Sequence, residues 1–307
     1  MLPAQQDLYS NAHGRYLQFN QFNLKNKKII QPFIDNFQPI SCEYNFSNLF
    51  SWQYVSKLSW IFYQERLLIY DGIEKSFFMP LGKELCPKEL IELSQYLKNR
   101  GSSPDFALVP SEYLEKFPEI EQYYIIKKER NYAEYIYDVN ELSELKGKKL
   151  HKKRNLISQF KRNYPDFKVY SLKRECKHES LKLAKGFIGR CVPPQKTLVE
   201  EYEAIKLAFD HFDELGLEGV VISSDNKLIA FNIFSRLNDL TYDIQFEKAD
   251  IDYKGASQMI NQETAQYLKG KCQYLNREQD LGIKGLRRAK MSYVPFKLVI
   301  PYSLIRK

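Results

Sequence analysis

Apolar positions along the chain change period several times, and each change predicts an element. In SWIFYQERLLIYDG, residues 59–72, two aromatic and aliphatic runs flank the polar break at Gln64, Glu65 and Arg66, the pattern of a β-hairpin. Leu90, Ile91, Leu93 and Leu97 then recur near helical spacing in CPKELIELSQYLKNRG, where Pro87 suits a first turn and Gly101 a stop. FALVP follows as a strand, so the first half reads hairpin, helix, strand.

The second half repeats that order. GVVISSDNKLIAFNIFS predicts a hairpin turning at Asp225 and Asn226, LTYDIQFE a strand, KGASQMINQETAQYLKG a helix and YLNRE a last strand. Both helices end on QYLK, at Gln95–Lys98 and Gln266–Lys269; the shared element order is the better sign of duplication. Between the halves lie a strand-like YAEYIYD, a helix from Lys148 to Asn163 stopped by Pro165, and a longer helix over residues 196–215. With 307 residues, two domains are expected, and the boundary is set near Val139, giving modules 1–138 and 139–307. The fold class is α/β (α+β), with one mixed sheet in each half.

Composition narrows the setting. A hydrophobic share of 44% and a charged share of 27% predict packed domains rather than disorder. The N-terminal stretch lacks a basic region followed by an apolar one, and no run reaches the roughly 20 apolar residues of a membrane span, so a soluble cytoplasmic protein is expected. Five cysteines, at 42, 86, 176, 191 and 272, form no C-x-x-C pair, and the four histidines, at 13, 151, 178 and 211, form no H-E-x-x-H. Reduced thiols and no metal centre follow.

Net charge of +8 changes the picture because the cations cluster. KGKKLHKKR spans residues 146–154, and Lys161, Arg162, Lys168, Lys173, Arg174 and Lys177 follow. A polyanionic partner is indicated: tRNA, the phosphates of a nucleotide cofactor, or peripheral contact with an anionic membrane. The plain alternative is a solvated helix face.

Three segments carry a resemblance. KKLHKKRNLISQFKRNYPDF (148–167), FEKADIDYKGASQMINQE (246–263) and YLNREQDLGIKGLRRAKMSYVP (274–295) together resemble the DUF2156 family, related to the C-terminal catalytic domain of phosphatidylglycerol lysyltransferases. NFSNLFSWQY, residues 45–54, extends the likeness into the first half. The resemblance implies tandem GNAT-like acyl-CoA N-acyltransferase modules, similar to Fem-type peptidyltransferases. The membrane-embedded half of the lysyltransferases has no counterpart here, a departure that counts against a lipid acceptor relative to a small molecule or a peptide.

GNAT modules work by direct attack, with a splayed strand and a following helix N-terminus that holds phosphate, so no nucleophile triad is required. At the corresponding turn Lys254, Gly255, Ala256 and Ser257 open a helix whose amides and dipole favour phosphate. Asp252, three residues before Gly255, would repel a pyrophosphate, which disfavours acetyl-CoA against aminoacyl-tRNA as donor. Alternatively, Gly255 and Ala256 only permit close packing.

Arg154 and Asn155 in the basic helix are candidate substrate ligands, Arg154 because it grips oxyanions bidentately, unless it forms an ion pair between modules. Lys148, Lys149, Lys152 and Lys153 would meet a nucleic-acid backbone. Strand alternation puts Asn276, Glu278 and Asp280 on one face, where acceptor-bearing side chains could bind an ammonium and Glu278 could take a proton. Arg287 and Lys290 follow Gly285 and could offset negative charge; the alternative is a loop of mutually paired charges. The resemblance matches Lys290, Tyr293 and Pro295 to the end of an aminoacyl site, although Tyr293 suits a core equally well. Glu278, Asp280 and Lys290 are thus the catalytic candidates, with Arg154, Asn155, Asn276, Arg287 and Tyr293 binding substrate. The reading is an acyl- or aminoacyltransferase, against a noncatalytic tRNA- or RNA-binding protein and a CoA-dependent N-acetyltransferase of a small amine.

Overall fold

The structure, a computed structural model, describes residues 17–190, 193 and 195–307; His13 and Cys191 lie outside them. Contacts divide the chain into two compact units: one runs to Ala133 and takes back Ile300–Lys307, and the other is Glu134–Val299. The division falls ahead of Val139 because the strand at Glu134–Asp138 pairs within the second sheet.

In the first unit, helices α1 (Leu24–Phe37) and α2 (Phe46–Trp52) precede the hairpin of β1 (Ser59–Tyr63) and β2 (Arg66–Asp71). Gln64 and Glu65 turn it with φ of 44° and 61°, left-handed at both central positions, which matches the strands' twist. Strand β3 (Ser76–Phe78) leads through α3 (Pro87–Asn99) to β4 (Phe106–Val109), which lies parallel to β3. A helix must make that crossover, and α3 starts on a reciprocal cap in which the Cys86 N–H donates to Glu89. Helix α4 (Ser111–Lys116) and β5 (Tyr124–Lys128) follow, and β13 (Tyr302–Arg306) completes the sheet between β4 and β5. Leu90, Leu93 and Leu97 of α3 bury against Phe77, Phe106 and Leu304, each contributing about 1.5–3 kcal/mol by leaving water.

The second unit carries β6 (Glu134–Asp138), α5 (Val139–Glu144), α6 (His151–Asn163), β7 (Lys168–Ser171), α7 (Lys177–Gly189) and α8 (Lys196–Asp210). The expected helix over residues 196–215 is two: after a break at His211, where φ is −127°, comes the short α9 (Phe212–Leu215). Then come β8 (Glu218–Ser224), β9 (Lys227–Arg236), β10 (Thr241–Ala249), α10 (Ala256–Leu268), β11 (Tyr274–Gln279), α11 (Lys284–Met291) and β12 (Lys297–Val299). The sheet order is β12-β6-β11-β10-β9-β8-β7. Asp225 and Asn226 make the β8–β9 turn, again both left-handed.

Both faces of β9 are covered, as its unbroken buried run requires. Asn232 and Phe234 meet Thr264 and Tyr267 of α10, while Phe231 meets Phe209 of α8. Among the described residues no helix is long and apolar enough to cross a membrane.

Candidate functional site

Strands β10 and β11 pair in parallel only from Thr241↔Tyr274 to Asp243↔Asn276. Beyond that point β10 continues against β9 to Ala249 and β11 continues against β6, so the two central strands part into a wedge. Each is bulged there, between Ile244 and Phe246 and between Asn276 and Gln279; Glu278 takes a left-handed φ of 53°. A non-glycine residue so held is strained, and such bulges re-aim side chains.

On the α10 side, Arg277 lies between the rings of Tyr137 and Tyr293, its guanidinium carbon 5.5 and 5.0 Å from their centroids. Its Nη2 donates to Glu247 at 2.8 Å across the wedge, and Asn261 of α10 donates to the same carboxylate oxygen at 2.9 Å. Burial works against the charged guanidinium, but Glu247 and the two tyrosines more than offset it and hold its pKa above the ordinary value. Nη1 of Arg277 is buried with no hydrogen-bond partner among the described residues. Lys153 of α6 reaches the same place, its Nζ 3.9 Å from the centre of the Tyr293 ring. Burial, then the Arg277 charge, draws the Lys153 pKa down, whereas burial pushes the phenols of Tyr137 and Tyr293 up.

On the opposite side the wedge is acidic. Asn276, Glu134 and Asp243 are buried, and the Asp243 and Glu278 carboxylates lie within 4.8 Å of one another. The Asn276 amide donates to Glu134, and its oxygen accepts the Glu278 N–H at 2.9 Å. Two close carboxylates out of bulk water favour a cation between them.

The remaining candidates have other posts. Asp280, 0% exposed, does not share a face with Glu278, because the bulge shifts it to α11. There it accepts two bonds from Arg287, at 2.9 and 2.8 Å, one from Tyr135 at 2.5 Å and the Gly282 N–H at 2.8 Å. An acid so saturated is an anchor, not a proton carrier. Its hydrogen bonds in turn raise the Arg287 pKa. Lys290 is buried with its ammonium donating to the carbonyls of Arg277 and Gln279, both at 2.5 Å, and so clamps the β11 bulge. Arg287 thus donates to the Asp280 carboxylate and Lys290 to the β11 carbonyls, while both cations lie near Tyr135. Tyr293 is a core aromatic that also walls the Arg277 pocket.

Arg154 donates to the carbonyls of Leu145 and Gly147, the latter at 2.9 Å, and ties α6 to the end of α5. Asn155 is exposed, as are Lys148, Lys149 and Lys152, whereas Lys153 turns inward and leaves the expected basic surface. Gly255, with φ of 93°, sits where an added Cβ would stand 2.5 Å from the Leu156 carbonyl oxygen, so it seats α10 on α6 rather than on the sheet. Lys254 and Ser257 are exposed and Ala256 is buried. Asp252 is paired with Arg190 at 2.8 Å, and Asp250 with Arg190 at 3.3 Å and Lys227 at 2.7 Å, which offsets the expected repulsion.

Sequence reasoning passed over Asp243, Glu247 and Glu134, and placed Arg277 among the charged residues of YLNREQD without giving it a role. The usable signal was a pair of acids, Asp243 and Glu247, inside the strand pattern LTYDIQFE, where charge is costly without a partner.

The family described as "Phosphatidylglycerol lysyltransferase, C-terminal" matches residues 35–304. A conserved protein of unknown function from Bacteroides thetaiotaomicron is similar over 94% of this chain and 99% of its own, at 30% identity and a TM-score of 0.87. The C-terminal (DUF2156) domain of a putative lysylphosphatidylglycerol synthetase from Agrobacterium fabrum covers 93% and 92%, at 14% identity and 0.64. FemX shares the fold at 8% identity and 0.59, over 94% and 97%. No curated protein matches the chain.

Proposed function

Because the chain belongs to the family of phosphatidylglycerol lysyltransferase C-terminal domains, with the fold of GNAT-type acyltransferases, we propose that it transfers an aminoacyl group from aminoacyl-tRNA to an amine or hydroxyl acceptor by direct attack. The observation that carries the reading is the wedge between β10 and β11, with a cationic, aromatic lining on one side and the Asp243–Glu278 pair on the other.

An aminoacyl ester is chemically two-sided. Its amino group is an ammonium that suits Asp243 and Glu278, with Asn276 and Glu134 holding the geometry. Its nucleotide carries phosphate that suits Lys153 and the open Nη1 of Arg277. The acceptor's lone pair adds to the ester carbonyl, and backbone N–H groups along the parted strands can donate to the resulting oxyanion. Collapse breaks the ester bond and frees the tRNA hydroxyl; the acceptor's proton passes through Glu278 to that leaving oxygen. Exposed Lys148, Lys149 and Lys152 favour a tRNA backbone. Acetyl-CoA is the weaker donor because Gly255 serves to seat α10 against α6, so the packing already accounts for the glycine that would otherwise mark the approach of a pyrophosphate.

Loss of the aminoacyl ester from charged tRNA, measured with cell extract as the source of acceptor, tests this. The wild type is expected to consume the ester, and Asp243→Asn and Glu278→Gln each to slow it by about 100-fold or more. Consumption of acetyl-CoA instead, or of neither donor, would overturn the proposal.

A further inference from the structure

We propose that Lys153 is a modification site, where small acyl phosphates guided by Arg277 acylate the Nζ amine. Its surroundings differ from those of the lysines beside it. Lys148, Lys149 and Lys152 are exposed, whereas Lys153 turns inward, keeps only part of its side chain in solvent, and holds its Nζ 3.9 Å from the centre of the Tyr293 ring. The guanidinium carbon of Arg277 lies 5.0 Å from the same centre, so two cations share one ring. Among the described residues no carboxylate stands within ion-pair reach of the Lys153 ammonium, and Glu247, the one acid that acts on it, is already bonded to Arg277 and Asn261.

That setting makes a nucleophile. Only the free amine attacks a carbonyl, and a lysine that is partly desolvated beside another cation releases its proton more readily than an exposed one. Burial, and after it Arg277 of β11, draws the Lys153 pKa down, with Glu247 of β10 opposing them only in part. The phenols of Tyr293 and Tyr137 are pushed up by burial and stay neutral, so they bring no negative charge to hold the proton in place.

Arg277 selects the reagent. Its Nη1 is buried without a hydrogen-bond partner among the described residues, a donor suited to a phosphate oxygen. In an acyl phosphate that oxygen is bonded to the carbonyl carbon itself, so one small molecule engages both cations. A coenzyme A thioester keeps its phosphates a whole pantetheine away from the carbonyl, and an uncharged ester offers Nη1 no anion. The neutral Nζ adds to the carbonyl carbon, the C–O bond to the phosphate breaks, and the N–H proton leaves with that phosphate, giving an amide and hydrogen phosphate. The amide is uncharged, so acylation removes one of the two cations from this side of the wedge.

The labelling does not depend on the transferase reading, and its test needs no tRNA. The full wild-type chain is incubated with acetyl phosphate over a range of pH and digested, and the occupancy of each lysine is read by mass spectrometry. Lys153 is expected to be acetylated about tenfold or more faster than Lys148, Lys149 and Lys152, and to reach its limiting rate at a lower pH than they do. Inorganic phosphate is expected to slow Lys153 and leave the three neighbours unchanged. N-hydroxysuccinimidyl acetate, which delivers the same acetyl group without a phosphate, is expected to lose most of the preference. The proposal is overturned if acetyl phosphate labels Lys153 no faster than its neighbours, if inorganic phosphate protects all four lysines alike or none of them, or if the reagent without phosphate shows the same preference. None of these results bears on whether aminoacyl-tRNA is consumed, so the two proposals fail separately.

Discussion

Lys153 holds a charge where burial and Arg277 both oppose it, and its pKa is drawn below the ordinary value. Between that lowered value and the ordinary one the unfolded chain binds more protons than the folded one, so stability gains with pH across that window. Below that window the lysine is charged in both states and its cost is present in full; the cost fades as pH rises through the folded pKa. Lys153→Met is therefore expected to raise Tm at pH 7 by about 1–3 °C, a modest figure because the side chain is only half-buried, and to lose that advantage near pH ~10. Thermal unfolding at the two pH values checks it; a lower Tm for the variant at pH 7 would mean that the ammonium stabilises the fold. A residue that costs stability yet sits between Tyr293 and the wedge is the pattern of a group kept for binding.

The chemistry of the neighbouring positions was legible in the sequence and their grouping was not. Asn276, Glu278 and Asp280 share a face only if β11 alternates without a break, and the bulge at Glu278 breaks it with no glycine to announce it. Asp280 then goes to Arg287 and Tyr135, while Glu278 meets Asp243, a residue 35 positions earlier that only the β10–β11 register brings near. Arg154 is a similar case. Its partners are backbone carbonyls, which no residue pattern reveals.

At the scale of elements, periodicity did better. Both hairpins, the crossover helices α3 and α10 and the basic helix α6 fall where the apolar spacing places them, because each buries a face of fixed period. The QYLK repeats close the matching helices, α3 and α10, each of which joins two parallel strands. Gly255 is where sequence left two readings, anion approach or close packing, and its left-handed φ against the α6 backbone supports packing. Gly255→Ala combines that φ with a contact to a carbonyl that cannot swing away. A loss of about 2–4 kcal/mol in unfolding free energy is expected from denaturant titration. A loss below that range would mean that α6 and α10 can separate without cost.

Across the whole molecule the two sheets share one plan. β1-β2-β3-β4 corresponds to β8-β9-β10-β11, and each set is extended by strands brought from elsewhere in sequence, β13 beside β4 and β6 beside β11. Those long-range insertions explain why a boundary read at Val139 misses the exchange: β6 reads locally as the end of the first half, and residues 300–307 as the end of the second. Only the second sheet joins its splay to the Asp243–Glu278 pair and to Arg277, and the proposed transfer rests on that combination. Comparing a free aminoacyl-tRNA with the same donor N-acetylated, in wild type and in Asp243→Asn, addresses it most directly. The wild type is expected to consume the free donor about 100-fold faster than the blocked one, and Asp243→Asn to lose most of that preference by slowing on the free donor alone. Equal consumption of free and blocked donors by the wild type would contradict an ammonium held by the acidic side of the wedge.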